Sequence, residues 1–172
     1  MSKRIPVFLS VGTVHNEFQQ RYLRKLVIHL RRHGIEAETL GQTFWSIEQP
    51  LRPVRKKMQE VDGAVILAME RFHSKEGIYK EGSPLQKIVG DQYFTTVWTH
   101  IEAAMAYQLD LPILILKEEK LTAEGVFDRG VHEWIVIEIH PEHPKEITED
   151  PIMRYIDSWI CLVKEHFRLK QH

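Results

Sequence analysis

The stretch Gly63-Ala64-Val65-Ile66-Leu67-Ala68 decides the fold, because its six consecutive residues carry no polar side chain. Similar short runs, rich in β-branched residues, occupy positions 5–11 and 112–116. Strands that are apolar on both faces are typical of the middle of a parallel sheet, which helices cover on both sides. More mixed runs at 35–40 and 135–139 are typical of edge strands. The sequence therefore predicts five strands.

Between these strands the apolar residues follow the period of a helix. Four stripes with spacings of three and four residues begin at Phe18, Leu51, Trp98 and Ile152. The third stripe continues through Ile101, Met105 and Leu109, so we expect these side chains on its buried face. Strands that alternate with helices predict an α/β fold. Specifically, we expect a flavodoxin-like three-layer sandwich around a five-stranded parallel sheet of order 2-1-3-4-5.

The segment from Glu70 to Thr95 interrupts this alternation and is long for a connection within a compact domain. Because it follows the third strand, it emerges at the carboxyl edge of the sheet, where ligands bind in this architecture. We interpret it as a lid or specificity loop. The alternative is a surface excursion or a short helix around residues 83–89. We expect residues 1–172 to form a single domain that carries this insertion at about 70–95.

Composition excludes several classes of protein. Lys and Arg number 23 against 24 Asp and Glu, which gives a formal net charge of −1, so we expect no nucleic-acid partner. The single cysteine, Cys161, rules out an intrachain disulfide, and we expect it in the core or at an interface. No apolar run approaches the roughly 20 residues of a membrane span, so we expect no membrane association and a cytoplasmic location.

Two histidines, His29 and His33, have a helical spacing that could hold a divalent ion. They follow an arginine-rich stretch and lack the glutamate of an HExxH motif. We therefore interpret the pair as part of a solvated helix face and predict no metal site.

The turn after the first strand, Ser10-Val11-Gly12-Thr13, is small and polar and leads into a helix. Its N–H groups and hydroxyls could hold a phosphate or a ribose hydroxyl. Neither the dinucleotide fingerprint nor the P-loop motif is present. The alternative is an ordinary turn with Asn16 as the helix N-cap.

A carboxylate, Glu102, lies one helical turn after Trp98, at the margin of the predicted inward face. A carboxylate in this position needs a partner or a cavity, and against an indole in a cleft its pKa moves upward. Such an environment marks a candidate for function. The alternative is a flanking glutamate that pairs with a Lys or Arg.

The motif around Glu102 resembles the S-x-W-C-x-x-E pattern of the Toll/interleukin receptor (TIR) domain. Thr96 stands at the serine, Trp98 matches, Thr99 replaces the cysteine, and Glu102 falls on the catalytic glutamate. With the flanking apolar strands, the likeness extends over most of residues 5–139. It also includes the structural relatives of TIR domains, the nucleoside 2-deoxyribosyltransferases.

This resemblance implies cleavage of the N-glycosidic bond of a nucleotide or nucleoside, most concretely hydrolysis of NAD+, which would be the substrate, with no further cofactor. Glu102 would be the catalytic residue and would stabilise or attack the ribose C1. The residues that would line the pocket are Ser10, Gly12, Thr13 and Trp98. A connection after the fourth strand could close one side of the pocket, with Phe127 or Trp45 stacking on a base, and the alternative is an ordinary solvated loop.

Two other functions stay open. One is a non-catalytic module that senses a nucleotide or assembles with itself. The other is a nucleoside 2-deoxyribosyltransferase, in which the acid is a nucleophile and a second acidic residue recognises the base. TIR-type catalysis often needs assembly, which leaves a homo-oligomer open as well.

Overall fold

The computed structural model describes residues 4–41, 43–44, 46–47, 49–128, 130 and 132–171. In chain order its strands are β1 (Ile5–Val11), β2 (Ile35–Glu38), β3 (Ala64–Ala68), β4 (Phe72–Ser74), β5 (Gly77–Tyr79), β6 (Lys87–Val89), β7 (Gln92–Phe94), β8 (Ile113–Glu118) and β9 (Val136–Ile139). Its α-helices are α1 (Glu17–Arg32), α2 (Leu51–Glu60), α3 (Val97–Gln108) and α4 (Ile152–Leu169). Within these ranges no helix is long and apolar enough to cross a membrane.

Five of the strands form one parallel sheet in the order β2-β1-β3-β8-β9. Counted among the sheet strands alone, this is the order 2-1-3-4-5, so the predicted flavodoxin-like α/β fold is confirmed. In register, Phe8 pairs with Ala64, and Ala64 pairs with Ile113. The central strand β3 is buried along its whole length because helices cover both of its faces.

Side chains on β1 alternate between the two faces of the sheet. Val7 and Leu9 pack with the buried residues of α1 and α4, whereas Phe8 packs with those of α2 and α3. Ser10 follows Phe8 by two residues, so its side chain points to the same face as Phe8. That direction brings the hydroxyl of Ser10 toward α3.

Helix α1 has the boundaries that its sequence predicts. Asn16 is its N-cap, and its side chain accepts a hydrogen bond from the backbone N–H of Gln19 at 2.9 Å. At the other end Gly34 takes a positive φ of 84°, which suits glycine at the position after a helix. Asn16 therefore has the structural role of a helix N-cap, which is the alternative to a binding role for this turn.

Helix α3 corrects the predicted buried face. Its buried side chains are Thr99, Ala103 and Ala106, whereas Ile101 is 37% exposed and Trp98 is 39% exposed. Small side chains on the inner face let the helix lie close to the sheet. Met105 and Leu109 also pack against this core, so the large apolar side chains mark the packed face only in part.

Two side chains on α1 and α4 also differ from expectation. His29 was predicted on a solvated face but is only 6% exposed, because it borders the buried stripe that contains Leu26 and Leu30. Cys161 is exposed on α4, so the expected position in the core is wrong, and a position at an interface stays a prediction. The pair His29 and His33 is therefore not simply a surface feature.

The insertion after β3 is a two-stranded antiparallel ribbon rather than a helix. Phe72 pairs with Phe94 in β4 and β7, and Gly77 pairs with Val89 in β5 and β6, in one continuous register. Its base is attached to the rest of the molecule where Thr122 donates its backbone N–H to the carbonyl of Tyr93 at 2.8 Å. The alternative of a short helix at 83–89 is wrong, whereas the role of this segment as a lid or specificity loop stays a prediction.

Candidate functional site

Glu102 lies in the second turn of α3 and faces the end of β1. The hydroxyl of Ser10, which is 1% exposed, donates a short hydrogen bond to Oε2 of Glu102. Burial raises the pKa of Glu102 to about 7, and the hydrogen bond from Ser10 opposes part of that rise. Near neutral pH both the protonated and the ionised form of this carboxyl group are therefore populated.

The carboxyl of Glu102 opens into a cavity of about 230 Å³. The cavity lies where β1, β2 and β3 end, which is the crevice that the reversal of strand order creates in this fold. Its polar lining residues are Thr13, Thr39, Arg71, Thr96 and Glu102. Trp98 and Gly12 complete much of the remaining wall. The arrangement suits a small polar ligand that contacts the threonine hydroxyls as well as the carboxylate of Glu102.

The turn after β1 lies close to the start of α3. A Cβ atom on Gly12 would come within 3.3 Å of the Cγ2 of Thr96, so a larger residue there would press on this contact. Thr96 is the N-cap of α3, and its hydroxyl oxygen accepts from the backbone N–H of Trp98 at 3.3 Å. The cap thereby fixes the helical turn that precedes Glu102.

Arg71 supplies a positive charge to the cavity and donates from Nη1 to the hydroxyl of Thr96 at 3.2 Å. Two buried side chains hold the residue before it. Gln19 donates to the carbonyl oxygen of Glu70 at 2.9 Å, and Glu118 accepts from the backbone N–H of Glu70 at 2.7 Å. These contacts fix the backbone from which the guanidinium reaches the cavity.

Four of the sequence-predicted residues meet at this cavity: Gly12, Thr13, Trp98 and Glu102. Ser10 lies behind them, in contact with the carboxylate. Trp45 falls outside the residues that the structure describes.

Phe127 does not line this cavity, so its expected stacking on a base in this pocket is corrected. Its ring is 2% exposed and packs edge-on against His100, with the ring centroids 4.7 Å apart. The short 3₁₀ turn at Gly125–Phe127 places the ring in the core cluster that includes Ala103.

Two cavity residues, Thr39 and Arg71, were missed by the sequence reasoning. Thr39 directly follows β2, and its hydroxyl donates to the carbonyl oxygen of Leu9 at 3.0 Å. Arg71 is the third residue after β3, following Met69 and Glu70. Polar residues that follow parallel strands share one edge of the sheet, and that rule would have found both.

The fold and the site together define a flavodoxin-like α/β protein with a partly buried carboxylate in the crevice at the carboxyl edge of its sheet. No protein-family model matches the chain, and no curated protein matches it either.

Proposed function

We propose that this protein hydrolyses the N-glycosidic bond of NAD+, with Glu102 as the catalytic carboxylate. The observation that carries the proposal is the position of Glu102, whose carboxyl opens into the cavity and accepts a hydrogen bond from Ser10. Among the described residues no Lys or Arg forms an ion pair with it, and its pKa shift arises from burial and from Ser10 alone.

The chemistry suits a carboxylate in a cleft. When the bond between ribose C1 and the nicotinamide nitrogen breaks, its electron pair goes to that nitrogen, and nicotinamide leaves as a neutral molecule. The ribose then carries the positive charge of an oxocarbenium ion. Glu102 as a carboxylate stabilises this charge or bonds to C1, and water completes the hydrolysis to ADP-ribose and a proton. The hydroxyl of Ser10 favours the ionised form that this step requires.

The remaining polar groups of the cavity suit the phosphate part of such a substrate. The net charge of the chain is −1, so attraction for an anion has to come from local groups. Arg71 is a guanidinium at the cavity, and guanidinium groups bind phosphate oxygens strongly. Its presence favours a substrate with phosphates over an uncharged nucleoside.

Turnover of NAD+ by the purified chain is the direct test. We expect release of nicotinamide and formation of ADP-ribose, both measured by chromatography. The parallel substrate is a 2′-deoxynucleoside supplied with a free base, and exchange of that base without cleavage of NAD+ would support the transferase instead. A third outcome is that neither substrate reacts, even at high protein concentration, while NAD+ still raises the melting temperature of the chain. That result would support a non-catalytic sensing module and contradict the proposed enzyme.

Replacing Arg71 by Ala is expected to lower kcat/KM for NAD+ by about tenfold or more, because a charged hydrogen bond to phosphate is lost. Nicotinamide riboside has the same glycosidic bond but no phosphate, so its kcat/KM should change little. Arg55→Ala, which removes an exposed arginine on α2, is the matched control. An equal loss for both substrates would show that Arg71 does not recognise phosphate.

A further inference from the structure

A second cluster of titratable side chains lies away from the cavity, where α1 faces α4. His29 and His33 occupy successive turns of α1, and their ring centroids are 4.4 Å apart. Asp157 of α4 approaches both rings, with its Oδ1 at 3.6 Å from Nε2 of His29 and 3.9 Å from Nε2 of His33. The three ligand atoms lie within 4.8 Å of one another. Three potential metal ligands therefore converge on one point.

Two of the three atoms that face this point are buried and lack hydrogen-bond partners. Nε2 of His29 and Oδ1 of Asp157 are both inaccessible to solvent, and neither has a partner among the described residues. Their separation of 3.6 Å is longer than a hydrogen bond. Because a buried polar atom without a partner is costly, this pair calls for a ligand between its members.

A hydrogen bond orients the imidazole of His33 so that its Nε2 faces the cluster. Nδ1 of His33 lies 2.9 Å from the carbonyl oxygen of His29, and since a carbonyl only accepts, Nδ1 carries the proton. The neutral ring then presents the lone pair of Nε2 to the cluster, an arrangement that is typical of metal-bound histidines.

We propose that His29, His33 and Asp157 bind a divalent transition metal of the zinc class, with water as the fourth ligand. Two donors bound to a tetrahedral Zn2+ at about 2.0 Å lie roughly 3.3 Å apart. The distances of 3.6 and 3.9 Å from Asp157 to the two imidazoles are close to this value, and the two imidazole nitrogens, which lie within 4.8 Å of each other, have to approach by at most about 1.5 Å. Two imidazoles and one carboxylate are a donor set that Zn2+ accepts.

The position of the cluster defines what the metal does. His33 is at the end of α1, next to the turn that leads into β2, so the cluster lies at the amino edge of the sheet. The candidate catalytic cavity lies at the opposite, carboxyl edge. A metal here connects α1 to α4 and stabilises the fold, and it takes no part in the proposed reaction at Glu102.

The test uses the full chain without an affinity tag, equilibrated with Zn2+ and freed of excess metal. Bound zinc and the melting temperature are measured for the wild type, for His33→Gln and for Asp157→Asn. Both replaced side chains are about 40% exposed or more, so these variants are expected to fold. His73→Gln is the matched control, since His73 also pairs with an aspartate, Asp91, but at a hydrogen-bonding distance of 2.9 Å.

We expect one zinc ion per chain in the wild type and in His73→Gln, and loss of that ion in both cluster variants. At a free Zn2+ concentration about 100 times the Kd, the wild-type melting temperature should rise by roughly 5 to 10 °C. A wild type that binds no zinc overturns the proposal, as does zinc binding that survives unchanged in both cluster variants. None of these measurements depends on turnover of NAD+, so they stand apart from the proposed function.

Discussion

Replacement of Glu102 by Gln is expected to reduce the rate of nicotinamide release from NAD+ by about 10³-fold. Gln keeps the size of the side chain and can still accept the hydrogen bond from Ser10, but it has no negative charge to stabilise the oxocarbenium ion. The reduction should appear in kcat rather than in KM alone, because the charge acts on the transition state. Steady-state kinetics with NAD+ measure both constants.

The matched control for this experiment is Glu165→Gln, which makes the same chemical change at an exposed position on α4. It should cleave NAD+ at the wild-type rate. If the wild type cleaves NAD+ and Glu102→Gln cleaves it equally fast, the proposed role of Glu102 is contradicted. Loss of activity in the control as well would instead indicate damage unrelated to the cavity.

The sheet could be predicted from the sequence because a strand that is buried on both faces has an uninterrupted run of apolar residues. Every position of β3 has to be apolar, and the run at 63–68 shows this without reference to any other part of the chain. The ribbon at 72–94 has no such run. Its strands are three residues long and mostly exposed, so no burial pattern alternates along them, and its pairing depends on contacts between distant positions. Short exposed strands are therefore the part of this fold that periodicity does not reveal.

The inner face of α3 was missed for a related reason. Large apolar residues at Ile101 and Met105 suggested one face. Met105 does pack against the core, but Ile101 is exposed, and the buried residues are Ala103 and Ala106, whose small side chains allow a close approach to the sheet. Hydrophobic periodicity weights large side chains, and it fails where close packing selects small ones. Glu102 was placed at the margin of the inward face from its neighbours Ile101 and Met105, and it lies beside the packed face in the structure because it directly precedes the buried Ala103.

The candidate site combines residues that the sequence connects and residues that only the fold connects. Glu102 and Trp98 are one helical turn apart, so a local motif is sufficient to find them. Thr39 and Arg71 come from two other connections, and only the order of the strands brings them to the same cavity. His29 and Asp157 likewise lie close together only because α1 packs on α4. The sequence of α1 alone therefore does not show whether its histidines are buried or solvated.

The same Glu102→Gln variant is expected to be more stable than the wild type at pH 8, with little difference near pH 4. The ordinary pKa of a glutamate, 4.5, describes the unfolded chain, and the folded value is about 7. Below pH 4.5 the carboxyl is protonated in both states and costs nothing. As the pH rises toward 7, the unfolded chain ionises first, so the wild type loses stability that Gln retains. The loss is complete above pH 7 and amounts to roughly 3 kcal/mol.

Melting curves at pH 4 and pH 8 measure this difference, which corresponds to about 5 to 10 °C at pH 8 for a chain of this size. Glu165→Gln should show no such dependence on pH, because that side chain is exposed. A lower melting temperature for Glu102→Gln at pH 8 would identify the carboxylate as a structural partner and would contradict its proposed role. A variant that is both inactive and more stable has the opposite meaning. It would show that the fold keeps a destabilising charge at the cavity, and catalysis is the function that such a charge serves.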